Sequence, residues 1–247
     1  MGRMTPGMTE RWDEFARADA YRYICTGLRS GDGRQFWNSG EKTVETELLP
    51  LVAEFRLKPE VALEIGCGVG RLLLPMARRF AAAVGVDVSA EMIRRAGRNA
   101  ADLGIRNVEW VLAPGPDAVL RQRSDLAGKV DFLYSLLVFQ HIEPGELIEG
   151  YVAAVAELLA DEGLAYLHFD TRRPTALYRL RNRLPDGLLP WFWKRSIRRI
   201  RREPREIERS LRGRGLAIIR QLAPGTAEHR YLVRKNPHLR KEADRKP

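Results

Sequence analysis

The chain has 247 residues, of which 45% are hydrophobic and 30% are charged, so it can build a sizeable core in one domain that carries an appendage. Its longest apolar runs, such as residues 133–139, are far shorter than the roughly 18 residues of a membrane span, and Cys25 and Cys67 are too few for a disulfide framework or a zinc cage. The net charge of +10 arises within residues 171–214, where 15 basic and 4 acidic residues give a balance of +11, so the basic character belongs to one segment.

The amino-terminal residues mix aromatic side chains with glycines and charges. They predict one or two short helices and then a loop around residues 31–33. Residues 1–20 are charged and hold no apolar stretch, so a secretory leader is not expected and the predicted location is cytoplasmic. Between Glu41 and Phe55 apolar residues recur at helical spacing, and Pro59 ends this predicted helix.

From Val61 onward, short apolar runs alternate with longer amphipathic ones. The predicted strands are 61–65, 83–86, 108–112, 130–135 and 164–169, and the predicted helices between them are 71–80, 89–103, 117–126 and 144–159. This alternation indicates βαβ units and a parallel sheet with helices on both faces. A helix over 204–211 and two strands over 216–222 and 229–233 follow, the strands forming an antiparallel pair at one sheet edge.

The predicted fold class is therefore α/β, a doubly wound and mostly parallel sheet with an antiparallel carboxyl-terminal strand pair and a helical cap. The expected organisation is a helical and loop cover over 1–42, a ligand-binding core over 43–170, a basic helical insertion over 171–203, a helix and strand pair over 204–236 that complete the core, and a charged tail over 237–247.

A glycine-rich loop, Gly66-Cys67-Gly68-Val69-Gly70-Arg71, joins the first strand to the helix after it. Glycines permit positive φ and close approach of a ligand, and the helix start offers unpaired N–H groups. The second strand ends at Asp87, 21 positions after Gly66, where a carboxylate can accept both hydroxyls of a ribose. Loop and acid together predict a nucleoside-bearing ligand. Arg71 stands where the dinucleotide fingerprint needs a glycine, which argues against a dinucleotide.

Residues 61–169 resemble the class I S-adenosylmethionine-dependent methyltransferases. Residues 61–71 (VALEIGCGVGR) are similar to the first motif of that family, residues 84–89 (VGVDVS) to the second, and residues 130–142 with the following helix and Gly turn to the fourth and fifth. The two closing strands also match, so the resemblance covers about two-thirds of the chain. It implies a Rossmann-like methyltransferase fold, S-adenosylmethionine as the methyl donor and S-adenosylhomocysteine as its product.

By this resemblance the glycine loop holds the methionine end of the cofactor, Asp87 holds the ribose, and Val88 and Met92 contact the adenine. The full set of candidate cofactor residues is Glu64, Gly66, Cys67, Gly68, Gly70, Arg71, Asp87, Val88, Met92, Ala113, Pro114, Ser135 and Leu136. The family often places an Asp after the third strand for the adenine amino group, whereas this chain has residues 113–116 (APGP) there. The backbone of 113–115, the nearby Asp117, or packing alone must then hold the adenine.

Polar residues that follow the fourth strand are candidates for the chemistry. Histidine has an ordinary pKa of about 6.5, so His141 suits a general base; alternatively it caps the next helix or fills a polar slot. The candidates for contacting substrate or closing over it are Tyr21, Tyr23, Trp37, Gln140 and Trp193, with Trp37 and the turn at 39–41 preferred as a lid. His168 and Asp170 have a spacing that permits a metal pair, but no third ligand is evident and no metal is expected.

Within the basic segment, apolar residues at helical spacing predict an amphipathic helix over 189–202, with Pro190 in its first turn. The apolar stripe of this helix consists of Leu189, Trp193, Ile197 and Ile200. This helix is expected to cap the site, where it could clamp an acidic acceptor, or to form a solvated face. Peripheral contact with the inner face of a membrane ranks second. Nucleic acid ranks last, because no RNA-binding module accompanies the arginines.

The sequence thus predicts a methyltransferase for a small molecule, with a hydroxyl of a sugar or secondary metabolite as the expected acceptor. A lipid-linked or membrane-associated acceptor is the first alternative. A protein that binds the cofactor without transferring methyl is the second, and an RNA methyltransferase is the third. No oligomeric state is predicted.

Overall fold

The computed structural model describes residues 6–25, 33–142, 145–188 and 199–236. The helices are α1 (Pro6–Ile24), α2 (Gly33–Thr43), α3 (Leu49–Glu54), α4 (Leu73–Ala77), α5 (Ala90–Asp102), α6 (Pro116–Gln122), α7 (Gly145–Leu158), α8 (Ala176–Arg183) and α9 (Pro204–Gly213). The strands are β1 (Val61–Ile65), β2 (Ala82–Asp87), β3 (Val108–Leu112), β4 (Val130–Ser135), β5 (Leu159–Phe169), β6 (Leu216–Leu222) and β7 (His229–Lys235). A π-helical turn at Val44–Leu48 joins α2 to α3.

The strands form one sheet in the order β3-β2-β1-β4-β5-β7-β6. The first five strands pair in parallel, and β7 runs antiparallel between β5 and β6. This confirms the predicted doubly wound sheet with its antiparallel strand pair. The chain moves outward from β1 to β3 and then crosses to β4 on the other side of β1. Ligands of such sheets bind at this switch point, beyond the carboxyl ends of the strands.

The strand limits agree closely with the predicted ones, most clearly for the central strands β1 and β4, which are buried on both faces and form nearly continuous apolar runs. The largest difference is β5, which begins at Leu159 rather than at position 164. Leu159 pairs with Val130 ahead of a shift in register, so strand pairing starts immediately after α7. Helix α4 is shorter than predicted, because the glycine loop before it continues through Leu72.

Apolar side chains pack against both faces of the sheet. On one face α7 and α9 contribute Leu147, Val155 and Leu211 to a single buried cluster. On the other face Leu73 and Met76 of α4 pack with residues of α3, β1 and β4. Burying a side chain of this size stabilises the fold by about 1.5–3 kcal/mol. This packing on both faces of the sheet holds the strand ends in fixed positions.

Helices α1 and α2 form a further layer against the glycine loop and α5. Phe36 of α2 is fully buried and stacks on Tyr21 of α1, with ring centroids 4.4 Å apart. The predicted lid turn at 39–41 is instead part of α2. A Cβ atom at Gly40 would lie 2.3 Å from the Arg71 carbonyl oxygen, so this helix is packed tightly against the glycine loop and is not a separate lid.

The predicted helix over 189–202 is wrong for its last four residues. The backbone N–H of Ile200 donates to the Gln140 carbonyl at 2.7 Å, and that of Arg202 donates to the Asp170 carbonyl at 2.9 Å, so 199–202 run alongside the sheet in a non-helical conformation. Residues 189–198, which include Trp193, lie outside the described residues. Every helix within the described ranges is too short or too polar to cross a membrane.

Candidate functional site

A cavity of about 290 Å³ lies at the carboxyl ends of β1, β2 and β4. Its floor is the glycine loop after β1 and the end of β2, and the segment after β4 forms one wall. Side chains of α1 form another wall, which leaves a partly enclosed space at the switch point of the sheet. Clefts of about 300–1,000 Å³ at this place in an open α/β sheet are typical of small-molecule and cofactor sites.

The glycine loop depends on glycine at two positions that line this cavity. Gly66 has φ +76°, and a Cβ atom there would lie 2.2 Å from a Val138 methyl carbon. Gly68 has φ +53°, and a Cβ atom there would lie 2.8 Å from Ile24 of α1. Any larger residue would strain the backbone and push the walls of the cavity apart.

Asp87 at the end of β2 is held by the backbone on both carboxylate oxygens. Oδ2 accepts from the Gly68 N–H at 2.8 Å, and Oδ1 accepts from the Ser89 N–H at 2.9 Å. Burial raises the pKa of Asp87, and these backbone hydrogen bonds oppose that rise. The carboxylate therefore has a fixed orientation at the rim of the glycine loop.

Glu64 of β1 is held differently. Its side chain is buried, and among the described residues no group hydrogen-bonds to its Oε2. Burial raises the pKa of Glu64 well above its ordinary value, and the charge of Arg71 opposes that rise. A buried carboxylate oxygen without a partner, on the wall of a cavity, is a favourable contact for a cationic ligand group.

The segment after β4 brings Gln140 and His141 to the cavity. Leu137 has φ +62°, and its N–H donates to Nδ1 of the buried His168 at 3.0 Å, which fixes this turn. Gln140 is 2% exposed, and its Nε2 lies 3.3 Å from Nε2 of His141. The ring of Trp12 meets the His141 ring edge-on, at a centroid distance of 5.8 Å. His141 is thus packed between α1 and the segment after β4.

Helix α1 is attached to the amino terminus of α5 through Asp13. Its Oδ1 accepts from the Ser89 hydroxyl and, at 3.1 Å, from the Glu91 N–H. Ser89 is the N-cap of α5, as predicted, and accepts from the Met92 N–H at 3.1 Å. A carboxylate at a helix amino terminus is favoured by the helix dipole, so Asp13 stabilises the position of α1 over the cavity.

Most of the predicted site residues lie together in this cavity. Those that line it are Glu64, Gly66, Cys67, Gly68, Arg71, Asp87, Val88, Met92, Leu136, Tyr23, Gln140 and His141. Those that do not line it are Gly70, Ala113, Pro114, Ser135, Tyr21 and Trp37.

The predicted residues outside the cavity have structural contacts instead. The Ala113 N–H donates to the Asp87 carbonyl at 2.9 Å, and the Ser135 hydroxyl donates to the Ile65 carbonyl at 3.0 Å. A Cβ atom at Gly70 would meet Leu74 of α4. Tyr21 and Trp37 line a second cavity, of about 300 Å³, between α2, α4 and α5.

Several lining residues are absent from the predicted set, namely Trp12, Phe15, Ile24, Val138, Tyr151 and Arg199. Trp12 and Phe15 could be noticed only as part of an aromatic-rich region, because no spacing rule distinguishes a cavity wall from core. Arg199 could be noticed only as one of many arginines in the basic segment.

His168 and Asp170 do not form a metal pair. His168 accepts from Leu137 and contacts the Ala227 carbonyl at 2.8 Å, while Asp170 is paired with Arg172. Among the described residues no group of three or more metal-ligating side chains comes together.

Known proteins are similar to the part of the chain that holds these features. Residues 62–163 match the family model described as a methyltransferase domain. Magnesium-protoporphyrin O-methyltransferase of Synechocystis is 27% identical over 151 residues, which are 60% of this chain and 58% of that protein. The 23S rRNA (uracil(1939)-C(5))-methyltransferase RlmD of Methylococcus capsulatus is 50% identical over 54 residues, 22% of this chain and 12% of that protein. The aligned segments thus cover less than two-thirds of the length of either relative.

The fold is shared with solved structures of methyltransferases. The magnesium protoporphyrin IX methyltransferase of Synechocystis PCC 6803 with bound S-adenosylhomocysteine has a TM-score of 0.61 and 22% identity, covering 91% of this chain and 95% of that one. A second structure of that enzyme contains S-adenosylmethionine. The family model, the strand order and the glycine loop agree: residues 62–163 match a methyltransferase domain, and the sheet has the fold of methyltransferases solved with S-adenosylmethionine and S-adenosylhomocysteine.

Proposed function

We propose that this chain transfers a methyl group from S-adenosylmethionine to an oxygen of a small-molecule acceptor. The observation that carries the proposal is the buried Glu64 oxygen without a partner, in a cavity whose rim is formed by the glycine loop and Asp87. S-adenosylmethionine is positively charged at its sulfur and at its amino group, and it carries a ribose with two hydroxyls. The carboxylates of Glu64 and Asp87 fit these groups in charge and in hydrogen-bonding capacity.

In this proposal Glu64 interacts with the cationic end of the cofactor and Asp87 accepts from its ribose. Val88 and Met92, with Trp12 and Phe15 of α1, supply an apolar surface for the adenine. Packing then replaces the usual acidic side chain, because residues 113 and 114 do not line the cavity. When bound, the cofactor supplies a methyl group on a positively charged sulfur.

The residues of the chain position the acceptor and receive its proton. Methyl transfer needs the acceptor oxygen, the methyl carbon and the sulfur in line, with water excluded. The α1 wall shields the cavity from solvent, and Gln140 orients the acceptor next to His141. His141 then takes the hydroxyl proton as a general base.

The expected acceptor remains a hydroxyl of a sugar or a secondary metabolite. The name of the Synechocystis relative, an O-methyltransferase of magnesium-protoporphyrin, supports a small molecule and an oxygen atom. The rRNA methyltransferase of Methylococcus capsulatus aligns with only 54 residues of this chain, which gives weaker support to an RNA acceptor.

The test is incubation of the purified protein with methyl-tritiated S-adenosylmethionine and an extract of the source organism. The extract is separated afterwards into small molecules, lipids and RNA. The same assay is run with the Asp125→Asn variant, which changes an exposed carboxylate outside the cavity lining and serves as the control for folding. We expect label in the small-molecule fraction from both proteins. Label in the lipid or RNA fraction alone would exclude the proposed acceptor class, and label in none of them would refute methyl transfer.

A further inference from the structure

Charge is distributed unevenly along the cavity wall. The carboxylates of Glu64 and Asp87 lie at the ends of β1 and β2, where the proposed function places the cofactor. Arg71 of the glycine loop also lines the cavity there, and its charge acts on Glu64. On the side of β4 and β5, the lining residues with a basic side chain in the described part of the chain are His141 and Arg199. Two carboxylates and one guanidinium thus lie on the cofactor side, whereas the acceptor side has basic groups.

The backbone holds Arg199 in place beside the candidate catalytic residues. The next residue, Ile200, donates its N–H to the Gln140 carbonyl at 2.7 Å, which ties this segment to the turn before His141. Nη1 of Arg199 donates to the Glu228 carboxylate at 2.9 Å and to the Ala227 carbonyl at 3.5 Å. Both contacts engage the same nitrogen of the guanidinium, so they do not occupy its other N–H groups.

Other arginines lie at this end of the cavity. Arg202, three residues further on, donates to the Ile142 carbonyl, and burial lowers its pKa while the charge of Glu206 opposes that fall. Arg230 contacts Glu228 and also forms an ion pair with Glu47 at 2.8 Å. Glu228 thus lies against both Arg199 and Arg230, and one carboxylate is shared between these two guanidiniums.

An unused hydrogen-bond acceptor lies on the same wall. Oε1 of the buried Gln140 has no hydrogen-bond partner among the described residues. A buried polar atom in this condition costs free energy unless a ligand or water satisfies it. A hydroxyl group can donate to it, and such a hydroxyl would lie beside the His141 ring, which is 3.3 Å from the other atom of the Gln140 amide.

We infer that the acceptor is a hydroxy acid with more than one hydroxyl: its carboxylate pairs with Arg199, one hydroxyl donates to Oε1 of Gln140, and the neighbouring hydroxyl, which is methylated, gives its proton to His141. A carboxylate is planar and matches the two parallel N–H groups of a guanidinium, which makes Arg199 a specificity-determining residue. The inference rests on the proposed methyl transfer and adds the chemical class of its substrate.

The experiment separates the acceptor by charge before the reaction. Small molecules from the source organism are divided on an anion-exchange resin into retained and unretained pools, and each pool is incubated with methyl-tritiated S-adenosylmethionine. The proteins are the wild type, Arg199→Met, Arg199→Lys, and Arg205→Met as a control at an exposed arginine of α9. Calorimetry with S-adenosylhomocysteine checks that each variant retains its fold and cofactor site.

We expect label in the retained pool with wild type and Arg205→Met. Arg199→Met should raise the KM for that pool about 10- to 100-fold with little change in kcat, and Arg199→Lys should restore part of the loss. Label in the unretained pool, or an unchanged KM in Arg199→Met, would overturn the hydroxy acid while leaving methyl transfer intact. Label in neither pool, from protein that binds S-adenosylhomocysteine, would contradict both.

Discussion

The carboxylates of Glu64 and Asp87 line the same cavity but differ in their hydrogen-bond partners. Both oxygens of Asp87 accept backbone N–H groups, whereas Oε2 of Glu64 has no partner among the described residues. The backbone hydrogen bonds therefore offset part of the free-energy cost of burying the Asp87 carboxylate in the free protein. The buried carboxylate of Glu64 lowers the stability of the protein until a cationic group contacts it. Asp87 therefore contributes to the fold as well as to ligand binding, whereas Glu64 contributes mainly to ligand binding.

Replacing Glu64 tests this cost. Burial raises the pKa of Glu64 in the folded protein. In the unfolded chain the same carboxyl group loses its proton above about pH 4.3. The unfolding free energy of the wild type therefore falls as the pH rises from that value through the folded-state pKa. Glu64→Gln has no such loss. We expect it to exceed the wild type in urea unfolding free energy by about 1 kcal/mol or more at pH 8, and by less at pH 5.

The same variant should bind S-adenosylmethionine about tenfold more weakly, because it lacks the carboxylate for the cationic groups. A stability difference that does not change with pH, or an unchanged affinity, would show that Glu64 does not have this role.

Replacing His141 tests the proposed base. His141→Ala should lower kcat by about 100-fold or more, because the hydroxyl proton has no acceptor in the transition state. Its affinity for S-adenosylhomocysteine should stay near that of the wild type, since His141 is assigned to the acceptor side. Single-turnover rates of the variant and the wild type provide the check. An unchanged rate would remove His141 from the mechanism.

At the scale of elements, α1 is held over the cavity by a contact at the amino terminus of α5. Asp13 accepts from Ser89 and from the Glu91 N–H, and the neighbouring Trp12 packs on His141. Loss of the Asp13 carboxylate should therefore affect the wall of the cavity and not the sheet.

Asp13→Ala should weaken the attachment of α1 by about 1 kcal/mol, with the exposed Glu14→Ala as the matched control. We expect faster amide hydrogen exchange in α1 and a several-fold loss of affinity for S-adenosylhomocysteine, while exchange in β1 and β4 stays at wild-type rates. Equal exchange in the two variants would mean that Asp13 does not hold the helix.

The central elements could be predicted from the sequence because local pattern determines them. Strands β1, β3 and β4 are mainly apolar runs bounded by turn residues, the glycine loop follows β1, and Asp87 is the last residue of β2. The sequence predicts a cover over residues 1–42, but not that Trp12 and Phe15 of α1 or Arg199 line the cavity, since these side chains reach it through tertiary contacts far apart in sequence. Residues 199–202 differ from the predicted helix because backbone hydrogen bonds to Gln140 and Asp170 outweigh their helical apolar spacing.

For the molecule as a whole, the basic segment and the sheet contribute to the same site. Residues 171–214 carry the excess charge of the chain, and the part of this segment that begins at Arg199 lies against the segment after β4. The net charge is thus a property of one segment, and Arg199 is the residue of its described part that lines the cavity.

The central claim is that the cavity between the glycine loop and Asp87 binds S-adenosylmethionine. Isothermal titration of the folded protein with S-adenosylhomocysteine tests it most directly, with Asp87→Asn as the site variant and the exposed Asp125→Asn as its control. We predict saturable binding at one site per chain, weakened about tenfold in Asp87→Asn and unchanged in Asp125→Asn. Absence of binding heat from wild-type protein that unfolds cooperatively would contradict the account.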